Sequence, residues 1–487
     1  MPMQRFIQRL VKKLSPKRLS QPSPSGPTSK QILSRDQHGV SRSQIDKHAL
    51  DVLYGLKRAG YEAYLVGGGV RDLLLGLEPK DFDVVTNAEP EAVKAVFKNK
   101  CRLIGRRFRL AHVRFGRQII EVATFRGDSE ASEVADKPKG RGRLNHTRAV
   151  DGQGRLLRDN VYGGMDEDVW RRDFTVNSLY YNIRDFSVAD YTGGLDDIKA
   201  GVIRLIGDPE TRYREDPVRM IRAVRFAAKL GFEIEPGTRD PIYDLAPLLK
   251  DVSHARMFEE VLKLFHSGVA VQVFEKLRHF GLFAYLFPQT EQMLAEQADG
   301  FPRMLVIEAL KSTDDRIRHG KGVNPAFLFA AMLWEPMVAR REQLLTEGLK
   351  PQDATFAAAS DVLEWQRPAT AVPRRFIGQV KDIWNLQYRL PRYQGDKAQK
   401  IVSHPRFRAA YDFLGVRVSA GAEELKEVFD WWTHYQTLDG VEQVAYANQV
   451  KKPGSRRRRP RRNRNPYRKR ANPAPGKESP ATPNEQD

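Results

Sequence analysis

The feature that most constrains the fold is a glycine turn followed closely by two aspartates. The run LVGGGVRDLLLG occupies residues 65–76, and KDFDVVT occupies residues 80–86. The pattern predicts an apolar strand that ends at Gly67 and Gly68, then a helix, then a second strand. Backbone N–H groups at the positive end of such a helix suit phosphate oxygens, and Arg71 lies on its first turn. A glycine turn on its own is more often a tight connection only.

The two aspartates that follow strengthen this interpretation. Asp81 and Asp83 stand two residues apart in a predicted strand, so both side chains project from the same face. Adjacent carboxylates repel each other unless a cation lies between them. Mg²⁺ prefers a few carboxylate oxygens together with water and substrate phosphates. We therefore predict that both aspartates bind magnesium, although a bare Asp-x-Asp pair without the glycine turn would favour two exposed turn residues.

Two further carboxylates are candidates for the same site. Glu121 lies in QIIEVATFR, residues 118–126, which is typical of a strand. Asp173 follows two arginines in RRDFTVNSL, residues 171–179, where it caps a helix or faces the nucleotide sugar or the metal. The sequence leaves open which of these two completes the metal site.

A helix with a polar edge is predicted further along the chain. REDPVRMIRAVRFAAKLGF occupies residues 214–232, with Asp216 as the predicted N-cap and a proline at the first helical position. Arg219 and Arg222 fall along one side of this helix. The simpler interpretation is a capped helix with salt bridges. The alternative is an edge that recognises a purine base through Asp216 and Arg219.

Charge and composition restrict the partners. The formal net charge is +20, and residues 451–470 contribute twelve Lys or Arg residues without an acidic one. Such a balance favours a polyanion, and a segment of this composition is expected to be disordered and to bind RNA. The RNA-contacting candidates are Arg456, Arg457, Arg458, Arg459, Arg461 and Arg462. The single cysteine, Cys101, fits a reducing compartment, and no apolar run is long enough to span a membrane.

A short basic amphipathic helix is predicted at the N-terminus. Apolar residues recur at helical spacing within residues 3–14, and Arg and Lys occupy the other face. One interpretation is a helix that lies on an anionic membrane surface. The other is an arm that contacts RNA or docks on the body of the protein. The expected location is the cytoplasm, with a peripheral fraction at the inner face of the membrane as an extension of the first interpretation.

Residues 65–232 resemble the class II nucleotidyltransferase superfamily, which contains bacterial poly(A) polymerases and CCA-adding enzymes. The motifs GGGVRD, DFD, EVATFR, RRDFTVNSL and EDPVRMIRAVRFA occur in the family's order. The resemblance implies an α+β fold, in which a nucleotidyltransferase head with a mixed sheet precedes an all-α neck, body and tail. It also implies roles for individual residues: metal binding by Asp81 and Asp83, an active-site carboxylate at Asp173, phosphate binding by Gly67, Gly68 and Arg71, and base recognition by Asp216 and Arg219 with Arg222 beside them.

The same resemblance suggests a division of the chain. We expect a basic helix and linker in 1–42, a catalytic head in 43–205, a nucleotide-selecting, RNA-binding neck in 206–275, an RNA-binding helical body and tail in 276–448, and a disordered basic tail in 449–487.

Finer features favour one branch of this superfamily. LIGRRFRLAHV, residues 103–113, and the basic C-terminus resemble bacterial poly(A) polymerases, and no His-Asp dipeptide of an appended phosphohydrolase domain occurs. The expected activity is template-independent addition of adenylate from ATP to RNA 3′ ends with Mg²⁺, in the service of RNA decay. Expected partners are mRNA fragments, small regulatory RNAs, tRNA precursors and the RNA-decay machinery. A CCA-adding enzyme is the nearest alternative, and a non-catalytic RNA-binding protein is the alternative of another class.

Overall fold

A computed structural model describes residues 30–105, 109–127, 148–150, 156–159, 161–295 and 303–449. The predicted N-terminal helix, most of the segment 128–154 and the arginines at 456–462 lie outside the described residues.

The N-terminal half is built on a mixed β-sheet. The strands of the described residues are β1 (Gln31–Leu33), β2 (Ala63–Val66), β3 (Asp83–Thr86), β4 (Cys101–Ile104), β5 (Leu110–Phe115), β6 (Gln118–Thr124), β7 (Arg148–Val150), β8 (Leu156–Asp159), β9 (Leu179–Asn182), β10 (Val188–Asp190), β11 (Val202–Ile203) and β12 (Glu233–Ile234). Eight of them form one sheet in the order β1-β10-β9-β2-β3-β6-β5-β4. Neighbours in this sheet are antiparallel except β3 and β6, which are parallel. The predicted mixed sheet is therefore confirmed.

The register of the central strands gathers polar residues at one edge of the sheet. Val66, the last residue of β2, pairs with Asp83, the first residue of β3. Val84 pairs with Val122 of β6, so Glu121 lies beside Asp83. The other three residues of β3 are buried on both faces of the sheet, which fixes the register because a slip of one residue would carry the Asp83 carboxylate into the core.

Short helices cover this sheet. The helices of this region are α1 (Arg35–His38), α2 (Lys47–Arg58), α3 (Gly68–Leu74), α4 (Pro90–Phe97), α5 (Met165–Arg171) and α6 (Gly194–Ala200). Asp46 caps α2, since its Oδ1 accepts hydrogen bonds from the N–H groups of His48 at 2.8 Å and Ala49 at 3.2 Å. The apolar face of α2 is buried, so the helix is anchored in the core beneath the sheet.

Beyond the sheet the chain is almost entirely helical, as predicted. The helices are α7 (Pro209–Glu215), α8 (Val218–Leu230), α9 (Pro236–Arg239), α10 (Pro241–Leu245), α11 (His254–Phe265), α12 (Ala270–His279), α13 (Phe283–Leu286), α14 (Pro288–Ala295), α15 (Leu305–Arg318), α16 (Pro325–Met332), α17 (Trp334–Thr346), α18 (Pro351–Gln366), α19 (Arg374–Arg389), α20 (Asp396–Val402), α21 (Phe407–Ser419), α22 (Lys426–Tyr435) and α23 (Gly440–Gln449). The α+β class with a helical second half is confirmed.

One apolar core runs from the sheet through α8 and α11 into the helices of the body, as far as α19 and α21. A second core lies at the C-terminal end, around Trp432. Two buried tryptophans join distant helices: Nε1 of Trp384 donates to the carbonyl of Ala330 at 2.9 Å, and Nε1 of Trp432 donates to the carbonyl of Leu390 at 3.0 Å. These bonds satisfy the indole N–H groups inside the core.

Three local expectations were wrong. The strand expected from Asp81 begins at Asp83. The N-cap of α8 is Pro217, because the Asp216 backbone is extended and ends α7. The polar, glycine-rich composition of residues 127–158 predicts a mobile loop, but β7 and β8 form an antiparallel pair in and just beyond this segment, and both strands are too short to give a clear period-2 pattern. In the described part of the chain, no helix combines the length and the hydropathy that a membrane span requires.

Candidate active site

A cavity of about 1170 Å³ lies between the sheet and the helices that follow it. The side facing the sheet is lined by Gly67, Gly68, Gly69, Arg71, Lys80, Asp81, Asp83, Glu121, Arg172 and Asp173, among others. The opposite side is lined by Arg222, Arg225, Phe226 and Lys229 of α8 and by residues of α11 and the turn after it. The structure thus brings together the predicted glycine turn and all four predicted carboxylates of the sheet region.

The glycine turn packs directly on the two aspartates. Gly67 has φ 75° and ψ −142°, a backbone conformation that side chains other than hydrogen disfavour. A Cβ atom at Gly69 would lie 3.2 Å from the carbonyl oxygen of Asp81, which is closer than ordinary van der Waals contact. The missing side chains therefore allow the first turn of α3 to approach the Asp81–Asp83 segment.

The electrostatics of Asp83 fit a cation site. Asp83 is solvent-accessible through the cavity although protein surrounds it. Burial and the nearby Glu121 raise the pKa of Asp83 to about 6, with a smaller contribution from Asp81, while Arg172 lowers it. A divalent cation between the carboxylates would relieve this repulsion.

The available protein ligands suit an Mg²⁺ ion whose coordination is completed by water and substrate, and not a metal ion held by protein ligands alone. Among the described residues, no group of three His, Cys, Asp or Glu side chains is arranged to hold a metal ion. Mg²⁺ is commonly held by one or two carboxylates, with water and substrate phosphates as the other ligands. Asp81 and Asp83, which lie beside the glycine turn, match that requirement.

The two candidates for a third carboxylate have different partners. Glu121 lies across the strand from His112, with 3.2 Å between its Oε1 and the histidine Nε2. Asp173 forms an ion pair with Arg222, whose Nε lies 2.9 Å from Oδ2, and it accepts a hydrogen bond from the N–H of Phe174 at 2.8 Å. Burial alone would raise the pKa of Asp173, but Arg222 outweighs it and lowers the pKa to about 2. Both Glu121 and Asp173 stay candidates for the carboxylate that completes the site.

Arg71 is buried beneath the glycine turn. Its Nε and Nη2 donate to Oδ1 of Asp72 at 2.9 and 2.6 Å, and its Nη1 donates to Oδ1 of Asn177 at 2.5 Å. Only 1% of Arg71 is exposed. The guanidinium therefore joins α3 to the segment that follows Asp173, and its direct contact with a triphosphate stays a prediction.

The two predicted base-recognising residues face different neighbours. Both oxygens of Asp216 accept hydrogen bonds from the guanidinium of Arg256, at 2.8 and 2.7 Å. Arg219 is buried, and its Nη1 donates to the carbonyl of Arg212 at 2.7 Å and to Glu215 at 3.0 Å. Neither Asp216 nor Arg219 lines the large cavity, whereas Arg222 does. Their role in base recognition stays a prediction.

Several cavity residues were not among the predicted site residues, and Arg172, Arg225 and His266 are three of them. Arg172 is held by Asp168, with Nη2 3.0 Å from Oδ2, and by the Tyr180 hydroxyl, which accepts from Nε at 2.6 Å. Arg225 Nε and His266 Nε2 are buried without a hydrogen-bond partner within the described structure. Arg172 could have been found from the RRD motif. Arg225 and His266 could not, because they belong to two helices that only the tertiary fold brings to the cavity.

Three family models match the chain. The model described as "Poly A polymerase head domain" covers residues 63–204. "Probable RNA and SrmB- binding site of polymerase A" covers residues 231–294, and "Polymerase A arginine-rich C-terminus" covers residues 347–466. The order of these matches agrees with a sheet-containing head followed by helical regions.

Curated relatives cover most of the chain. Poly(A) polymerase I of Salmonella typhi is 51% identical over 434 residues, which are 88% of this chain and 91% of the relative. Poly(A) polymerase I of Haemophilus influenzae is 44% identical over 438 residues, which are 89% and 95% of the two chains. The CCA-adding enzyme of Geobacillus stearothermophilus is 36% identical over 240 residues, only 49% of this chain and 54% of that enzyme.

The fold has solved counterparts. A structure titled as a tRNA-processing enzyme complex has a TM-score of 0.53 at 20% identity and covers 82% of this chain and 98% of its own. At that identity the likeness concerns the fold alone. The resemblance drawn from the five motifs is confirmed, and the match extends far beyond the half of the chain shared with the CCA-adding enzyme. This chain is a nucleotidyltransferase that belongs to the bacterial poly(A) polymerase I family.

Proposed function

We propose that this polynucleotide adenylyltransferase extends RNA 3′ ends with adenylate from ATP, without a template and with release of pyrophosphate. The observation that carries the proposal is the placement of Asp81 and Asp83 against the glycine turn, on the floor of a cavity large enough for a nucleotide and an RNA end. The RNA 3′-hydroxyl would attack the α-phosphate, and the O–P bond to pyrophosphate would break.

Different residues of the cavity would bind the metal ions, bind the phosphates and stabilise the leaving group. Asp81 and Asp83 would hold two Mg²⁺ ions, which supply activation of the attacking hydroxyl and neutralisation of the triphosphate. The N–H groups of the Gly67–Gly68 turn would bind phosphate oxygens. Arg172 and Arg225 line opposite walls of the cavity, and their positive charge would stabilise the negative charge that develops on the leaving pyrophosphate.

Selection of adenine would fall to protein side chains. Asp216 presents a carboxylate that Arg256 holds in a bidentate geometry, and such a fixed acceptor suits the amino group of a purine. Since Asp216 does not line the cavity in this structure, its use would require the Asp216–Arg256 pair to move towards the bound base, with Arg256 still holding the carboxylate in place. Asp173, which Arg222 holds in position, would face the nucleotide sugar.

RNA is the second substrate. We propose the division into head 43–205, neck 206–275 and body 276–448 as the working map, with RNA lying along the neck and body and the segment 449–487 adding charge. The substrates would be 3′ ends of mRNA fragments, small regulatory RNAs and tRNA precursors in the cytoplasm. An added unstructured tail would give exonucleases of the decay machinery a place to load.

The test is nucleotide addition by the purified full chain with Mg²⁺. Each nucleoside triphosphate is supplied separately to a generic single-stranded RNA and to a tRNA that lacks its 3′ end. Long ladders from ATP on the generic RNA are expected. Addition of three nucleotides confined to the tRNA, with a requirement for CTP, would instead identify a CCA-adding enzyme. Binding of RNA without any addition would identify a non-catalytic RNA-binding protein.

Membrane contact through residues 1–20 is a separate proposal, which rests on the amphipathic pattern of that segment. Co-sedimentation with anionic liposomes compares the full chain with a form that lacks residues 1–20. Unchanged binding of the shortened form would exclude the helix as the membrane contact.

A further inference from the structure

A second cavity lies in the C-terminal part of the protein, and we call it the basic cavity. It has a volume of about 190 Å³ and is lined by Arg389, Arg392, Lys397, Lys400 and Ile401. None of these residues lines the active-site cavity. All four charged residues are cations, so the cavity is a small concave surface of positive charge that is distinct from the catalytic centre.

Among the described residues, no ion pair compensates the positive charge of the basic cavity. Within residues 303–449, no ion pair connects any of the four cationic side chains to a carboxylate. Asp396 is the one acidic residue between positions 389 and 402. Arg392, Lys397 and Lys400 are exposed, and Arg389 is half-buried. Like charges held close together are unfavourable, and an anion between them would remove the repulsion.

The backbone beneath these side chains is held firmly. The N–H of Arg392 donates to the carbonyl of Arg389 at 2.8 Å, which closes a tight turn at the end of α19. Tyr393 stacks on Trp431 with 4.3 Å between ring centroids. Ile401 is 3% exposed and anchors α20 in the second core. The cations therefore project from a fixed frame, which lowers the entropic cost of binding a ligand.

The chain leaves the described fold beside this cavity. The N–H of Gly395, in the loop between the two pairs of cations, donates to the carbonyl of Ala447 in α23 at 3.1 Å. The described residues end at Gln449, and the sequence continues with the twelve Lys and Arg residues of positions 451–470. The basic cavity and the most basic segment of the sequence are thus neighbours along the chain.

We propose that the basic cavity binds backbone phosphates of single-stranded RNA, at a distance from the 3′ end that occupies the active site. The identification of the polyanion as RNA rests on the proposed function. Proteins commonly bind phosphate groups through the guanidinium group of Arg and the ammonium group of Lys. No aromatic ring lines the cavity, so the contact is to the backbone and independent of base sequence. The cavity lies outside residues 231–294, the range of the family model described as RNA-binding.

The test compares two variants of the full chain with equal net charge. In the cavity variant, Arg389, Arg392, Lys397 and Lys400 are replaced with glutamine. In the control variant, glutamine replaces Lys321, Lys350, Arg374 and Lys426, which are exposed and have no ion pair within the described residues. Binding to a single-stranded RNA of about 40 nucleotides is measured over a series of salt concentrations. Extension of a hexanucleotide by ATP and Mg²⁺ is measured in parallel.

The cavity variant should bind the long RNA about tenfold more weakly than the control variant, and the slope of log Kd against log salt should be shallower by about 2–3. Its extension of the hexanucleotide should match that of the wild type, because none of the four replaced residues lines the active-site cavity. Equal affinity and slope in the two variants would overturn the proposal. Binding to anionic lipid vesicles is measured for the same two variants, and a loss of vesicle binding with RNA binding intact would overturn the proposal as well.

Two further variants distinguish a loss of RNA contact from a loss of stability. If the fourfold variant melts earlier than the wild type, the double variant Lys397→Gln/Lys400→Gln changes only exposed side chains and should show about half of the change in slope. A charge-preserving variant, with Arg and Lys exchanged at all four positions, should keep the wild-type slope. Failure of the wild type to extend the hexanucleotide would refute the proposed function and leave the result on the long RNA to decide the basic cavity separately.

Discussion

Replacing Asp173 with asparagine should lower the free energy of unfolding by roughly 2 kcal/mol at neutral pH. Arg222 holds the pKa of Asp173 at about 2 against the effect of burial, whereas the ordinary value is 3.8. Proton linkage converts that difference into folding free energy at about 1.4 kcal/mol for each pKa unit. The variant keeps the size of the side chain and loses the charge, so the loss measures the ion pair.

The same ion pair predicts a pH dependence with a definite sign. A carboxylate whose pKa is lowered in the folded state stabilises the protein fully at any pH above the pKa that it has in the unfolded state. This stabilisation is lost as the pH falls through the pKa of the folded state. The difference in the free energy of unfolding between the wild type and Asp173→Asn should therefore reach its full value above about pH 5. It should fall to roughly half of that value near pH 3 and almost vanish near pH 2.

Urea unfolding followed by circular dichroism at several pH values measures this gap. Asp196→Asn is the matched control, because its carboxylate pairs with Lys199 at 3.1 Å on an exposed face and should contribute little. The reasoning would be refuted by equal losses in the two variants at pH 7, or by a gap for Asp173→Asn that stays constant down to pH 3.

Three other changes test the site and its support. Asp83→Asn should reduce adenylate addition by roughly 100-fold or more while RNA binding, measured by filter retention, stays near normal; wild-type rates would contradict the assigned mechanism. Gly194→Ala should cost about 1–3 kcal/mol in urea unfolding, because the new Cβ would overlap a backbone carbonyl oxygen, whereas Gly440→Ala meets open space and should be neutral. Arg256→Gln should raise the KM for ATP several-fold without changing the KM for RNA, since Asp216 loses its bidentate partner; an unchanged KM for ATP would exclude Asp216 from base recognition.

The catalytic edge of the sheet could be predicted because its signals are local. The glycine turn, the Asp-x-Asp pair and the strand containing Glu121 each depend on a few neighbouring residues, and strand pairing then brings them to one cavity. The change from mixed elements to helices was also visible, since it rests on periodicity over long stretches. Both the fold class and the family followed from these patterns.

What the sequence did not reveal depends on contacts between distant segments. Asp216 was expected to cap a helix, but Arg256, forty residues further along the chain, occupies its carboxylate. Arg225 and His266 face the cavity only because α8 and α11 pack across from the sheet. A local sequence pattern does not encode such pairings, so apart from Arg222 the wall opposite Asp83 appeared only in the structure.

The continuous core between the sheet and the helices also bears on how a growing strand advances. The main apolar core includes residues of both cavity walls, and the Asp173–Arg222 pair crosses between them. Close-packed walls of this kind shift together and do not swing apart cheaply. After each addition, the new terminus must retreat by one residue to free the nucleotide site. If the walls stay coupled, we expect the RNA to move instead, and its phosphates would pass from one cationic side chain to the next. Elongation would then depend on sliding of the RNA and not on a hinge between the walls.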